Sequence, residues 1–223
     1  MSDSDAADGA GTDGDERVVG VVGTTADAPT AGVALELAAR RGGALVAGTH
    51  ALVRTRGPTL RDVLAGRAAP SEAVRADGPV ARVAPGRPLA AVADASGLRR
   101  ALMGVARECG GVVVDCGWAS AATAVVAATD ACVAVTDGTP AGAVGAVETA
   151  ARSRALETAV AAVAYVDADA VPEGFSRALG APGVAIPVDD ATRVAGDARR
   201  PVGSLFPESE AVGAFDALAA ALD

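Results

Sequence analysis

The sequence contains no lysine, so all 19 of its basic residues are arginine. It has one histidine, His50, and only five aromatic residues. Acidic residues number 28, which gives a formal net charge of −9 and a pI near 4.6. This charge balance argues against a nucleic-acid-binding surface or binding to an anionic membrane, because both partners carry phosphate charge. The acidity and the exclusive use of arginine are typical of a salt-adapted protein encoded by GC-rich DNA, so they say little about partners.

Three cysteines, Cys109, Cys116 and Cys132, lack metal-ligand spacing and are an odd number for a disulfide framework. We expect reduced, mostly buried thiols in a cytoplasmic protein. No apolar run approaches the ~18 residues of a membrane span. Residues 1–16 are rich in Gly, Asp and Ser and lack the basic start of a signal peptide, which predicts a disordered acidic tail before a single domain at residues 17–223.

Short valine-rich runs alternate with helical patterns along this domain. Uninterrupted apolar strands between helices predict an α/β fold with a mostly parallel central sheet covered by helices on both faces. The predicted strands are Arg17–Gly23, Gly43–Ala47, Val80–Ala84, Gly111–Asp115, Ala131–Thr136, Val160–Val166 and Gly183–Val188. We expect the irregular stretch from Gly48 to Arg87 to wrap one edge of the sheet.

Helix boundaries follow from capping residues and apolar stripes. Thr59 is a predicted N-cap with Gly66 as the stop, and a further helix is predicted after Ser96. Thr139 followed by Pro140 predicts the start of another helix, with Val144 and Val147 facing inward. The terminal helix is predicted from the stripe of Val212, Phe215, Leu218 and Leu222.

A Gly/Thr loop joins the first predicted strand to the first helix. Gly23, Thr24, Thr25 and Thr30 occupy the position where α/β folds cradle phosphates. A working P-loop also has a lysine there, whereas this loop carries Asp27. Two like charges ~4 Å apart repel by about 4 kcal/mol at an effective dielectric near 20, so we expect no tight ATP binding.

Two candidate metal ligands have simpler structural interpretations. Asp115 follows a buried strand, and its carboxylate could order Mg²⁺ or cap the next turn. Thr30 could bind Mg²⁺ through its hydroxyl or act as the helix N-cap, which we favour.

Other residues near this loop leave alternatives open. Arg54 and Arg56 could supply the missing cation, or pair with acidic residues at the surface. Trp118 could cover the site or fill volume beneath a loop, and Cys116 could be a reactive thiol although no basic neighbour is evident to lower its pKa. His50 has no partner motif, so we interpret it as structural.

The order of these segments resembles the MinD/ParA family of deviant P-loop ATPases over residues 17–222. The run TLRDVLAG at Thr59–Gly66 is similar to that family's TLxDVLxG segment. Val112–Asp115 corresponds to its Walker B strand, and Ala127–Thr136 to its AADxxxxVxT strand. The resemblance implies a P-loop NTPase-like three-layer fold, Mg-ATP as the family's cofactor, and a helix after Thr139 that contacts a second subunit.

The departures from the family pattern concern the nucleotide site. The family loop KGGVGKT carries two lysines, and both are absent here. Its aspartate pair after the second strand aligns with Ala47-Gly48-Thr49-His50, and its adenine-reading asparagine aligns with the segment Tyr165–Ala168. Only Asp115 and Thr30 correspond to functional residues, so Gly23, Thr24, Thr25 and Thr30 are predicted to be a vestigial phosphate loop.

These observations predict a MinD-like domain without ATPase activity that regulates or holds a protein partner, such as an active relative. No cofactor is expected in this hypothesis, and the acidic terminal helix lacks the residues of a membrane anchor. Two alternatives stay open: a weak ATPase that uses Asp115 with Arg54 or Arg56, and an unrelated enzyme that uses Asp115, Cys116 and Trp118.

Overall fold

A computed structural model describes residues 16–46, 57–76 and 78–223. Within them, eight strands form one sheet in the order β3-β4-β2-β5-β1-β6-β7-β8. The strands are β1 Val18–Gly23, β2 Ala44–Val46, β3 Val74–Arg75, β4 Arg82–Val83, β5 Val112–Trp118, β6 Ala131–Thr136, β7 Ala159–Val166 and β8 Gly183–Ile186. All neighbouring strands are parallel except β3, which runs antiparallel to β4.

Ten α-helices connect the strands in the described part of the chain. They are α1 Thr30–Arg41, α2 Leu60–Leu64, α3 Pro70–Ala73, α4 Ala95–Cys109, α5 Thr123–Val126, α6 Pro140–Ala155, α7 Phe175–Leu179, α8 Asp190–Ala198, α9 Val202–Leu205 and α10 Glu210–Ala220. Two short 3-10 helices lie at Leu89–Ala91 and Ala119–Ala121. Within the described ranges, no helix has the length and apolar character that crossing a membrane requires.

The helices form a layer on each face of the sheet. Side chains of α1, α8, α9 and α10 pack with Val19 and Val21 of β1, while α2 to α5 pack on the face that carries Val18 and Val22. Along β6, Cys132 and Ala134 lie on this second face, where Ala134 packs with α6 and α7. The predicted three-layer α/β fold with a mostly parallel sheet is confirmed.

Several predicted boundaries need correction. The helix placed after Ser96 begins at Ala95, because the side chain of Asp94 accepts a hydrogen bond from the amide of Gly97 and caps it. The short antiparallel strand β3 was not predicted, since two residues give no detectable alternation. Val144 and Val147, predicted to face inward, are 61% and 52% exposed.

The predicted cap at Thr59 is confirmed, with Asp62 as its partner. The Oδ2 atom of Asp62 accepts hydrogen bonds from the backbone amide of Thr59 (3.0 Å) and from its hydroxyl (2.7 Å). Thr139 also caps as predicted, since its hydroxyl accepts from the amide of Gly142 at 3.0 Å. Of the predicted tail at residues 1–16, only Glu16 belongs to the described residues.

Candidate functional site

The strand order reverses at β1, which lies between β5 and β6. Gly23, the last residue of β1, is level with Trp118 of β5 on one side and with Val135 of β6 on the other. Ligands of open α/β sheets bind at such a reversal, outside the carboxyl ends of the strands. The Gly/Thr loop at residues 24–29 therefore lies at the expected place for a ligand.

Three backbone donors of this loop are already used within the protein. The amide of Thr24 donates to Val135 O (2.9 Å), and the amide of Ala28 donates to Thr25 O (3.4 Å). The amide of Thr30 donates to Ala28 O at 2.8 Å across Pro29, whose φ of −79° and ψ of 57° match an inverse γ-turn. These three amides are therefore not available to an anion, and Pro29 itself has no N–H.

Thr30 is the first residue of α1 and is buried, but it is not the N-cap. Pro29 holds the cap position, and no side-chain capping hydrogen bond is made there. The predicted N-cap role of Thr30 is therefore wrong. The physical reason is the γ-turn, in which the carbonyl oxygen of Ala28 accepts the hydrogen bond of the Thr30 amide. The cap position therefore lies one residue earlier, at Pro29.

Thr24 and Thr25 bring buried hydroxyl groups to the loop. Neither Oγ1 atom has a hydrogen-bond partner among the described residues, and Thr24 is only 6% exposed. Thr24 packs against the second turn of α6, where a Cβ on Gly145 would come 2.3 Å from the Thr24 carbonyl oxygen. An unpaired buried hydroxyl costs about 1–3 kcal/mol, so these two groups are ready acceptors or donors for a ligand.

Asp115 lies within β5, level with Val21 of β1, because the strand continues to Trp118. It is half-buried, and its Oδ1 atom accepts a hydrogen bond from the amide of Gly117 at 3.0 Å. This contact agrees with the turn-capping interpretation. Val113 and Val21 face α1, so the alternation of β5 places Asp115 on the same side as the loop, and Mg²⁺ binding by Asp115 stays a prediction.

A β-bulge follows Asp115 and directs Cys116 into the core. The register between β1 and β5 shifts after Val21, and Cys116 is fully buried, with its thiol donating to Val114 O at 3.5 Å. Burial raises the pKa of the Cys116 thiol well above its usual value, and the Asp115 charge raises it further. The hypothesis that Cys116 is a reactive thiol is therefore wrong, and the unrelated-enzyme hypothesis loses its nucleophile.

Trp118 follows the bulge and lies beside Gly23 with 44% of its surface exposed. This exposure favours the interpretation that Trp118 flanks the site over the interpretation that it fills volume beneath a loop. The remaining candidates, His50, Arg54 and Arg56, lie outside the described residues.

The described residues fit Mg-ATP poorly. Asp27 is exposed on the loop, and no basic residue occurs between Gly23 and Thr30. Within the three described ranges, no group of three or more His, Cys, Asp or Glu side chains could hold a metal ion. Phosphate oxygens would meet a carboxylate here, and the amides of Ala28 and Thr30 already have carbonyl partners.

One contact at this site was missed by sequence reasoning. Gly142 and Gly145 form the inner face of α6 where it meets the loops: a Cβ on Gly142 would lie 2.4 Å from Asp137 Oδ1. The spacing of three residues between two glycines in a helix was the available signal, because it places both on one face.

The strand order and flanking helices define a P-loop NTPase-like α/β fold, and the solved structures that resemble it include MinD and ParA ATPases. The cell division ATPase MinD from Pyrococcus furiosus matches with a TM-score of 0.71 and 20% identity, covering 93% of this chain and 98% of that one. MinD from Pyrococcus horikoshii, solved with Mg-ADP, matches with a TM-score of 0.73 and 19% identity, covering 93% and 96%.

A chain of the MinC:MinD cell division protein complex from Aquifex aeolicus matches with a TM-score of 0.75 and 14% identity. The match covers 92% of this chain and 95% of the Aquifex chain. No protein-family model matches the sequence, and no curated protein matches it either. At these identities the comparisons establish the fold, which is that of the MinD/ParA ATPases. They confirm the resemblance given by the sequence motifs.

Proposed function

We propose that this chain is a MinD/ParA-like protein with a degenerate Walker A loop that does not hydrolyse ATP. It acts as a regulatory or scaffold partner in a cell-division, partitioning or positioning system. The observation that carries the proposal is Asp27, an exposed carboxylate on the loop where a P-loop has a phosphate-binding lysine. A carboxylate repels phosphate where a P-loop lysine attracts it, so nucleotide binding is weakened.

A protein partner is supported by the structural neighbours. The Aquifex aeolicus MinD was solved in complex with MinC, so this fold presents surfaces that bind a second protein. The last helix, α10, is too acidic to anchor the chain on an anionic membrane: its charged residues are Glu210 and Asp216. We propose a cytoplasmic protein that does not bind nucleic acid and is not held stably at a membrane by this helix.

A second candidate function is weak ATP binding. It is favoured by Asp115, which lies on the α1 side of the sheet beside the loop, as a Mg²⁺ ligand of a P-loop protein does. In this alternative Arg54 or Arg56 supplies the phosphate contact.

Calorimetric titration of Mg-ATP and Mg-ADP into the protein in molar KCl tests the proposal. We expect no saturable heat up to millimolar nucleotide, and the same result for Asp115→Ala. Micromolar binding that disappears in Asp115→Ala would overturn the proposal in favour of the weak ATPase. Circular dichroism of both proteins in the same buffer controls for folding.

A further inference from the structure

Two arginines continue a row of buried apolar side chains toward one edge of the sheet. Along adjacent strands, the register places side by side Val19 of β1, Val113 of β5, Leu45 of β2 and Arg82 of β4. Arg75 of the edge strand β3 lies directly opposite Arg82. Since partners in register share a face, both arginine side chains lie on the face of the sheet that packs against α1. Arg75 and Arg82 are here called the arginine pair.

The guanidinium group of Arg75 is buried without a partner. Its Nε and Nη2 atoms are both enclosed, and neither donates a hydrogen bond in the part of the chain that the structure describes. The group lies against the backbone of Gly57, where an added Cβ would stand 2.5 Å from Nη2. Among the described residues, no carboxylate forms an ion pair with Arg75. The Nε and Nη2 atoms carry the parallel N–H groups with which arginine binds two oxygens of a carboxylate or phosphate.

Arg82 brings a further unused donor to the same place. Its Nη2 atom donates to the carbonyl oxygen of Arg199 at 2.8 Å, where α8 ends. Its Nε atom is buried and has no hydrogen-bond partner among the described residues. The Cβ atoms of directly opposite residues in an antiparallel pair lie about 4.5–5.5 Å apart, and like charges at that distance destabilise the pair. The arginine pair therefore combines three unbonded N–H groups with mutual repulsion.

Protection of the sheet edge does not account for this arrangement. An inward-pointing charge on an edge strand discourages pairing with another chain. That role explains an arginine on β3, but β4 has a neighbouring strand on each side. It also does not explain the burial of the donors, because a buried N–H without an acceptor is costly and a buried charge without a partner is more so. An anion that accepts hydrogen bonds from both arginines removes these costs and the repulsion.

We propose that the arginine pair binds an oxyanion, the phosphate or carboxylate group of a small molecule, at the β3–β4 edge of the sheet. Two oxygens accept from Nε and Nη2 of Arg75, and one of them also accepts from Nε of Arg82. The parallel N–H groups of Arg75 favour an oxyanion over chloride, which has a single acceptor atom. β4 lies three strand positions from β1, so the site is separate from the Gly/Thr loop and the inference does not rest on the proposed function.

The test is thermal unfolding of the full chain in molar KCl with added potassium phosphate. Three charge-assisted hydrogen bonds to one small ion are consistent with a Kd of about 1 mM, so phosphate is raised to about 10 mM. The excess of KCl keeps the ionic strength nearly constant, so a general salt effect does not change the Tm. A second series with potassium acetate distinguishes the two kinds of oxyanion: a response to phosphate alone identifies a phosphate ligand, and a response to both admits a carboxylate.

We expect phosphate at about ten times its Kd to raise the Tm of the parent protein by about 3–6 °C. Without phosphate, Arg75→Met has a Tm equal to or above that of the parent, because it removes a buried charge that has no partner. Phosphate does not raise the Tm of this variant, so the order of the two proteins reverses. Arg177→Met, which removes an exposed arginine of α7, is the matched control and responds as the parent does.

Arg75→Lys tests the geometry of the site, because lysine keeps the charge and lacks the two parallel N–H groups. We expect this variant to need about tenfold more phosphate for the same rise in Tm. A parent protein that responds to neither anion would overturn the proposal. A rise in Arg75→Met as large as in the parent would place the anion elsewhere, and a Tm deficit of Arg75→Met that is equal with and without phosphate would give Arg75 a structural role only; both results contradict the proposal.

Discussion

The backbone carbonyl oxygen of Thr24 lies so close to Gly145 that a Cβ on residue 145 would stand 2.3 Å from it. This contact joins the loop after β1 to the second turn of α6. It requires glycine at position 145, because a backbone oxygen cannot rotate away as a flexible side chain can. The loop after β1 and α6 are therefore coupled by packing.

The first prediction concerns this contact. Gly145→Ala lowers the free energy of unfolding by about 1–2 kcal/mol, because the steric overlap of about 1–3 kcal/mol exceeds the helix-propensity gain of at most about 1 kcal/mol. The measurement is denaturant unfolding in molar KCl. Gly213→Ala in α10, where an added Cβ meets nothing within 4 Å, is the matched control and stabilises the protein. A stabilised Gly145→Ala variant would contradict the contact.

The second prediction concerns thiol reactivity. Burial raises the pKa of all three thiols, but Cys116 and Cys132 are buried whereas Cys109 is partly exposed. A disulfide reagent at pH 8 therefore modifies Cys109 first, and the other two only after denaturant is added. In Cys109→Ser the fast phase disappears. If Cys116 in the folded protein reacted as fast as Cys109, the prediction would be wrong, and β5 would have to open at its bulge.

The third prediction concerns Glu36, a buried carboxylate of α1. Its Oε1 atom accepts from the Val202 amide at 2.6 Å, and Arg40, which also pairs with Asp216 of α10, binds its other oxygen. Burial raises the pKa of Glu36 above 4.5, while these hydrogen bonds lower it by less. Its contribution to stability is therefore complete below about pH 4.5 and is lost as pH rises through the folded pKa.

Glu36→Gln lowers the free energy of unfolding by about 1–3 kcal/mol through its poorer contacts with Val202 and Arg40. The deficit relative to the parent protein is largest near pH 4 and shrinks toward neutral pH, because only the parent loses stability as Glu36 ionises. Unfolding curves of both proteins across this range measure the difference. A deficit that grows with pH would mean that the ion pair with Arg40 outweighs burial.

The fourth prediction concerns Asp62 in the cap of α2. Hydrogen bonds from the Thr59 hydroxyl, then those from Arg67, lower the pKa of Asp62 to about 2. Because the folded pKa is below the usual 3.8, its contribution is present above that pH and is lost as pH falls through about 2.

Asp62→Ala therefore lowers the Tm at pH 7 and has a much smaller effect near pH 2, as thermal scans of both proteins will show. Glu210→Ala, in the first turn of α10, is a control for the loss of an exposed carboxylate from a helix start. A Tm difference that persists at pH 2 would assign the effect to packing.

Much of the fold could be predicted because its signals are local. The valine runs of β1, β5 and β6 are continuous and the Thr139-Pro140 cap is in sequence order, so strand and helix positions follow from neighbouring residues. Val144 and Val147 were misplaced because α6 presents Gly142 and Gly145 to the sheet edge. In α6 the small residues are buried and the large apolar residues are exposed, which is the opposite of what an apolar stripe predicts.

The sequence by itself determined the parallel α/β sheet, the resemblance to the MinD/ParA family and the absence of lysine from the loop after β1, because these features follow from the order of residues along the chain. Only the tertiary structure decided that the bulge after Asp115 buries Cys116, that Pro29 forms a γ-turn before α1, and that Gly142 and Gly145 of α6 meet the loops after β6 and β1. These depend on strand register and on contacts between residues far apart in the chain. Such contacts form only when the whole sheet is assembled.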